Sequence, residues 1–187
     1  NRSNGNKYVC TVSATPTPSE YDGAAFKGWT IINNSLLEKD GTTAIRTPIG
    51  TGAANLYAYY QKNTIATFWY YNGSTKTSTT ASAIKTYISK SGGVNIVNNN
   101  IAVPSAVATN RTINGITYTY LGVSTSATSN TTVTPTTANV TYYAVYSTTV
   151  TFYSGSNKAT TTNATQYYNS NGTYSVVAPT PTAISGW

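Results

Sequence analysis

Hydrophobic and polar positions alternate in several short segments of the chain, a pattern that predicts β-strands. One segment, IATFWYY, is β-branched and aromatic and ends at Asn72-Gly73, a strong turn signal. Another, ITYTYL, follows Asn114-Gly115, and its alternation places Ile116, Tyr118 and Tyr120 on one face. The predicted strands are residues 65–71, 93–97, 116–121 and 140–147, and residues 124–138 are predicted to form a polar loop.

The segment Ser82 to Ser91, SAIKTYISKS, has a different spacing. Ile84, Tyr87 and Ile88 fall at i, i+3 and i+4, Ser82 can cap the start, and Gly92-Gly93 can end the element. This spacing predicts a short helix. The order of strand, helix and further strands then predicts a mainly β, α+β fold: a small mixed sheet with one helix able to cover a face.

Two aromatic strings are nearly repeated. LYAYYQKNTIATFWYYNG occupies residues 56–73, and TYYAVYSTTVTFYSG occupies residues 141–155. Tyr57-Ala58 recurs as Tyr143-Ala144, and Thr67-Phe68 recurs as Thr151-Phe152, which gives a period of roughly 85 residues. A period of this length is typical of small tandem domains rather than the turns of a solenoid.

Further landmarks support a repeated unit and locate its boundaries. Phe26-Lys27-Gly28-Trp29 has counterparts at residues 120–123 and 184–187, and YVCTVSATPTP at residues 8–18 resembles YSVVAPTP at residues 174–181. We therefore predict the later part of a first repeat in residues 1–62, a complete middle repeat in residues 63–148, and the first part of a third repeat in residues 149–187.

Composition indicates an exported protein. The chain has 187 residues, of which 39 % are hydrophobic, enough to fill a core, but only 8 % are charged, so hydroxyl and amide groups must cover most of the surface. Cys10 is the only cysteine, which excludes an intrachain disulfide and fits the surface or wall of a Gram-positive bacterium. No span reaches the ~20 apolar residues of a membrane helix, and the first residues have no signal-peptide core, so a processed extracellular segment is expected.

The distribution of charge argues against nucleic acid as a partner. The net charge is +7, but the 11 basic residues are scattered singly and form no stripe that could follow a phosphate backbone. All four acidic residues lie between Glu20 and Asp40, so residues 41–187 contain no carboxylate side chain. A diffuse positive surface favours acidic polymers, although singly solvated lysines explain the same numbers.

The sequence predicts a protein that is not an enzyme. It has no His, and with no Asp or Glu after residue 40 it can assemble neither a Ser-His-Asp triad nor a Cys-His pair. Paired-carboxylate glycosidase chemistry would have to come entirely from residues 20–40, where Asp22-Gly23 and Asp40-Gly41 are better interpreted as turns, and the four acidic residues lack the spacing of an EF-hand calcium loop. Phosphate-binding glycine motifs are also missing, so we predict no catalytic residue, no cofactor and no metal.

Aromatic side chains are the remaining candidates for binding. Trp69 and Tyr71 share one face of their predicted strand and Phe68 and Tyr70 the other, so one pair should be buried and the opposite pair exposed. Exposed Trp and Tyr rings beside Asn and Thr can stack on a sugar. Trp69, Tyr71 and, earlier in the string, Tyr59 are therefore the candidate ligand-binding residues, with packing in the core or between repeats as the alternative.

Several of these motifs together resemble a known family. The strand VTFYSG, the later YYNSNG, the link APTP, a Gly-Trp pair and a closing Leu-Tyr-Ala-x-Tyr are similar to the Listeria-Bacteroides repeat, also called the internalin-type B repeat. The resemblance implies tandem β-grasp-like modules in bacterial surface proteins, serving as stalk or spacer and sometimes in adhesion. Val123 stands where the pattern has Trp, and the helix-like insert from Ser82 to Asn100 departs from the usual short repeat.

The sequence thus favours a non-catalytic extracellular stalk, spacer or fibre segment whose main partners are neighbouring repeats. One alternative is an adhesin module that binds carbohydrate or a host surface through Tyr and Trp. Another is a filament subunit, because the incomplete last repeat of one molecule could be completed head to tail by the first repeat of the next.

Overall fold

The computed structural model describes residues 2–4, 7–12, 18–30, 38–39, 45–49, 57–90, 93–98, 100–137, 140–155, 160–172 and 174–181. Within these ranges every regular element is a β-strand, so the mainly β fold class is confirmed. The chain divides into two compact units. The first unit comprises residues 1–64 and 83–99, and the second comprises residues 65–82 and 100–187.

The first unit contains two groups of strands. Strands β1 (Arg2–Asn4), β2 (Lys7–Val12), β4 (Glu38–Lys39) and β5 (Ile45–Ile49) form an antiparallel sheet in the order β1-β2-β5-β4. Strand β3 (Ala25–Thr30) pairs with the first residues of β6 (Tyr57–Asn72), and the last residues of β7 (Thr75–Lys90) pair with β8 (Gly93–Asn98). Strands β6 and β7 are long and contribute residues to both units.

The second unit is built around β11 (Thr141–Ser154). This strand pairs antiparallel with β10 (Ile116–Ser124) on one edge and with β12 (Thr160–Tyr168) over nine residue pairs. Strand β9 (Arg111–Ile113) pairs antiparallel with β10, and β13 (Tyr174–Ser175) pairs antiparallel with β12. The first residues of β11 also run parallel to β6, which makes the sheet mixed, as the sequence predicts.

The alternating segments form the expected strands, but three of the four strands are longer than predicted. Residues 65–71 lie inside β6, residues 116–121 begin β10, and residues 93–97 match β8. The segment 140–147 continues to Ser154. Of the predicted loop 124–138, Ser124 belongs to β10 instead, and the described residues after it form no strand, as predicted. Both predicted repeat boundaries fall inside a strand, after Lys62 in β6 and after Thr148 in β11; the division into three repeats stays a prediction.

The helix predicted for Ser82 to Ser91 is wrong. Residues 82–90 belong to strand β7, and Ile84, which should lie on the buried face of the helix, is 46 % exposed. Thr86, Tyr87 and Ile88 are buried in succession because a register shift between Thr86 and Tyr87 interrupts the alternation toward β8. Pairing with β8 and with β6 supplies the hydrogen bonds that a helix would have made internally, and this stretch is rich in Thr and Ser, which are weak helix formers.

Turns of one type precede β3 and β10. Asp22 and Gly23 have φ angles of 50° and 65°, and Asn114 and Gly115 have φ angles of 50° and 82°. Positive φ at both central residues is the pattern of a type I′ turn, which Asp-Gly and Asn-Gly favour. The turn interpretation of Asp22-Gly23 is therefore confirmed, while Asp40-Gly41 lies outside the described residues.

The two aromatic strings occupy equivalent positions in two strand pairs. In the first unit the partners of Phe26, Gly28 and Trp29 are Tyr60, Tyr59 and Ala58. In the second unit the partners of Tyr120, Gly122 and Val123 are Tyr146, Val145 and Ala144. Each pair contains a register shift at the residue before the glycine, so the same β-bulge occurs twice.

The bulged pairs also repeat their packing. Phe26 lies edge to face on Tyr60 with ring centroids 5.8 Å apart, and Tyr120 lies edge to face on Tyr146 at 6.1 Å. Ala58 and Ala144, the alanines of the two Tyr-Ala pairs, are both buried. The sequence repetition therefore corresponds to a repeated local structure. The third counterpart, residues 184–187, lies outside the described residues.

Candidate functional site

The parallel pairing of β6 with β11 sets the two faces of the second unit's sheet. Thr67, Phe68 and Trp69 are the Cα partners of Thr141, Tyr142 and Tyr143. Partner residues on neighbouring strands project from the same face, and successive residues project from opposite faces. Trp69 and Tyr143 therefore lie on one face, and Phe68 and Tyr142 lie on the other.

Burial separates these faces clearly. Phe68 and Tyr142 are buried and stack on each other with ring centroids 5.3 Å apart and planes inclined by 22°. Trp69, Tyr143 and their strand neighbours Thr67 and Thr141 are only partly buried. The first face is thus part of the core, and the second is partly exposed around Trp69 and Tyr143.

Exposed polar side chains of strand β7 lie next to the face that carries Trp69 and Tyr143. Lys76, Ser78 and Thr80 are exposed, whereas the residues between them are partly buried. The Lys76 Nζ lies over the Trp69 ring, 5.3 Å from its centroid, which places this lysine on the same face as Trp69. Ser78 and Thr80 alternate with Lys76 and share its side of the strand. The exposed and partly exposed residues of this face form what we call the open face: Thr67, Trp69, Lys76, Ser78, Thr80, Thr141 and Tyr143.

The open face can bind but offers no group for catalysis. Its two aromatic rings provide apolar surface, its three threonines and one serine provide hydroxyl donors and acceptors, and Lys76 provides one positive charge. Its residues all lie in the carboxylate-free part of the chain, so no side chain of the face is negatively charged at neutral pH. The face is therefore suited to a flat ligand that has hydroxyl groups and negative charge.

The structure brings together only part of the predicted candidate set. Trp69 belongs to the open face. Tyr71 is buried, lies edge to face on Tyr168 at 5.1 Å, and has its pKa raised to about 12 by burial and by a hydrogen bond with Tyr168. Tyr59 belongs to the first unit, is also buried, and accepts a 3.1 Å hydrogen bond from the Gln61 Nε2.

Burial around Trp69 does not follow the predicted pairs. Phe68 and Tyr71, one from each pair, are buried, while Trp69 and Tyr70 are partly exposed. Tyr70 is covered on one side by Arg111, whose guanidinium carbon lies 5.3 Å from the ring centroid. The alternation predicted from the strand pattern fails here because Tyr71 is packed against Tyr168 of the distant strand β12.

Sequence reasoning missed Tyr143 and Lys76 as members of the site. Tyr143 is a strand tyrosine among many, and only its pairing with Trp69 distinguishes it. For Lys76 a local signal exists, since the hairpin between β6 and β7 turns tightly at Gly73-Ser74 and brings early β7 residues beside late β6 residues.

Comparison with known proteins identifies no relative. No family model, curated protein or solved structure matches this chain. The open face is therefore interpreted from its own geometry.

Neither a membrane span nor a metal cluster is found in the described ranges. They hold no helix long and apolar enough to cross a membrane. They also hold no group of three or more His, Cys, Asp or Glu side chains placed to bind a metal.

The first unit contains a separate polar cluster on its type I′ turn. The Asp22 carboxylate accepts hydrogen bonds from the Tyr87 hydroxyl and, at 2.9 Å, from the Lys62 Nζ. The hydrogen bond from Tyr87 is the largest cause of the lowered pKa of Asp22, and the hydrogen bond from Lys62 is the next. The hydrogen bond with Asp22 in turn raises the pKa of Lys62. A carboxylate held ionised by two donors is a weak base, so this cluster is best explained as a link that fixes the turn to β6 and β7.

Proposed function

We propose that the chain is a non-catalytic segment of a bacterial surface protein, in which related β-rich modules follow one another as a stalk or spacer. The observation that carries the proposal is the repeated bulged strand pair, with Phe26 on Tyr60 in the first unit and Tyr120 on Tyr146 in the second. Two copies of one local structure in a single chain are what a tandem array requires.

Surface composition supports the same proposal. A spacer outside the cell must keep its structure while salt and pH vary, and a chain with 8 % charged residues has few interactions that either can weaken. The similarity of its motifs to the Listeria-Bacteroides repeat agrees with such a role. Head-to-tail completion of one molecule by the next belongs to the same class of function and would turn a spacer into a fibre.

Labelling of intact cells tests this proposal. Antibodies raised against the purified chain should label the intact source cells, and brief trypsin treatment of those cells should remove the label. An antibody against a cytoplasmic protein of the same cells serves as the control for lysis. Labelling that requires permeabilised cells would contradict a surface role, and turnover of any substrate by the purified chain would contradict a non-catalytic one.

A further inference from the structure

We propose that the open face of the second unit binds an acidic polysaccharide, with sugar rings stacked on Trp69 and Tyr143 and a sugar carboxylate paired with Lys76. This inference goes beyond the spacer proposal and stands independently of it, because a stalk needs no ligand.

Trp69 and Tyr143 lie side by side on neighbouring strands. Trp69 and Tyr143 are Cα partners on adjacent parallel strands, so their backbones lie about 4.8 Å apart, the usual separation of neighbouring strands. Both side chains are partly exposed and rise from the same face. Two adjoining apolar surfaces on a sheet suit an extended, flat ligand better than a small compact one.

Hydroxyl groups surround these rings. Thr67 and Thr141 precede the rings on β6 and β11, and Ser78 and Thr80 line the neighbouring strand β7. A hydroxyl can donate and accept a hydrogen bond, and its hydrogen can rotate to suit the partner. A polymer rich in hydroxyl groups therefore finds partners on both sides of its rings, whereas a purely apolar surface would offer these hydroxyls no partner.

Charge then distinguishes acidic from neutral sugars. The Lys76 Nζ lies over the Trp69 ring, 5.3 Å from its centroid, and so covers one side of the ring on which a sugar would stack. A cation–π contact at an exposed site is weak, so Lys76 can exchange it for a carboxylate on the bound sugar. No Asp or Glu occurs in residues 41–187, so no carboxylate of the second unit competes for this lysine or repels an acidic ligand.

Nucleic acid is the less favoured anionic partner. The described residues of the second unit contain two basic side chains, Lys76 and Arg111, and Arg111 is engaged with Tyr70 and with the carbonyl oxygen of Ala106. A phosphate backbone is usually bound by a row of basic side chains. One available lysine beside two aromatic side chains on neighbouring strands fits occasional carboxylates on a sugar chain instead.

Calorimetric titration of the full chain tests the proposal. The ligands are three uronate homopolymers (polygalacturonate, polymannuronate and polyglucuronate), one neutral glucan and a single-stranded oligothymidine. We expect saturable binding of at least one uronate, and quenching of Trp fluorescence at the same stoichiometry. Trp69→Ala should weaken that binding at least tenfold, Tyr143→Ala should weaken it severalfold, and Trp69→Phe should retain most of it.

Matched charge variants separate stacking from ion pairing. Lys76→Gln should weaken uronate binding severalfold and reduce its dependence on salt. Lys85→Gln removes the same charge from a lysine that lies over Tyr87 in the first unit, and it should bind as the parent does. Urea unfolding of each variant shows whether the fold is retained.

The inference would be overturned by no saturable binding of any uronate, by equal binding of the neutral glucan and the uronate, or by uronate binding that survives Trp69→Ala in a folded protein. Tighter binding of oligothymidine would also overturn it, in favour of nucleic acid. None of these results bears on the surface labelling that tests the spacer proposal.

Discussion

Phe68 and Tyr142 stack ring on ring in the core of the second unit, with centroids 5.3 Å apart. This contact joins the two aromatic strings, because one ring comes from β6 and the other from β11. It also determines which neighbours are exposed: with Phe68 and Tyr142 in the core, Trp69 and Tyr143 must rise from the opposite face. The core contact and the candidate binding face are therefore two consequences of one strand register.

Removal of the Phe68 ring should destabilise the protein strongly. Phe68→Ala leaves a cavity against Tyr142, and we expect a loss of about 3–5 kcal/mol in the free energy of unfolding. Phe68→Leu fills most of the space and should cost less. Urea unfolding followed by circular dichroism measures both. Equal losses for the two variants would show that packing volume is not what this position provides.

Glycine should be required at the bulge of β10. Gly122 has a φ of 153°, and a Cβ atom at this position would lie 2.9 Å from the Cγ2 of Thr132. We expect Gly122→Ala to cost about 1–3 kcal/mol through backbone strain and the close contact. Gly28, with a φ of 148° at the equivalent bulge of β3, should show the part of this loss that backbone strain causes.

A second substitution separates the two causes at Gly122. Thr132→Ala removes the Cγ2 but leaves the Cβ, which would lie 3.0 Å from the added atom, so the double variant should recover the part of the loss that the Cγ2 contact causes. Urea midpoints of the two single variants and the double variant give the coupling. An unchanged midpoint for Gly122→Ala would contradict the repeated-bulge description.

Acid should weaken the link between Asp22 and its partners. The folded-state pKa of Asp22 lies below the ordinary value of 3.8, so its contribution to stability is present above that pH and is lost as the pH falls through the lowered pKa. Asp22→Asn keeps a residue that tolerates the φ of 50° and removes only the charge. We expect the urea midpoint of the parent to exceed that of the variant at pH 7 and the two to converge near pH 2.

Salt provides the control for this interpretation. The ion pair with Lys62 is largely exposed, so 1 M NaCl at pH 7 should also reduce the difference between parent and variant. A difference that stays constant with pH would show that the carboxylate charge contributes nothing.

Alkaline pH should destabilise the second unit through its buried tyrosines. Burial raises the pKa of Tyr71 and of Tyr120 to about 12, while tyrosine in an unfolded chain ionises near 10. A raised folded-state pKa means that the stabilising contribution is complete below pH ~10 and is lost as the pH rises toward 12.

Tyr71→Phe isolates one of these groups. The variant cannot ionise at this position, so its free energy of unfolding should fall less steeply than that of the parent between pH 10 and 12. Absorbance at 295 nm should show one fewer late-titrating phenol. Parallel pH profiles for the two proteins would contradict the burial of this hydroxyl.

Local pattern in the sequence determined much of the fold. Alternation identified β6, β8, β10 and β11, because strand side chains have a period of two that does not depend on the partner strand. Asp22-Gly23 and Asn114-Gly115 identified turns, because these residues adopt positive φ at low cost. The Gly-containing landmarks and the Tyr-Ala strings, read as repeats, occupy matching positions in two bulged strand pairs.

Tertiary structure alone decided the rest. A short stretch such as SAIKTYISKS is compatible with the spacing of a helix and with that of a strand. It forms a strand because it pairs with β8. Tyr71 is buried because it packs against Tyr168. Trp69 and Tyr143 lie side by side because two segments far apart in the chain pair in parallel. Such contacts are not encoded by local periodicity, because they depend on which strands meet, and that choice is made by the packing of the whole unit.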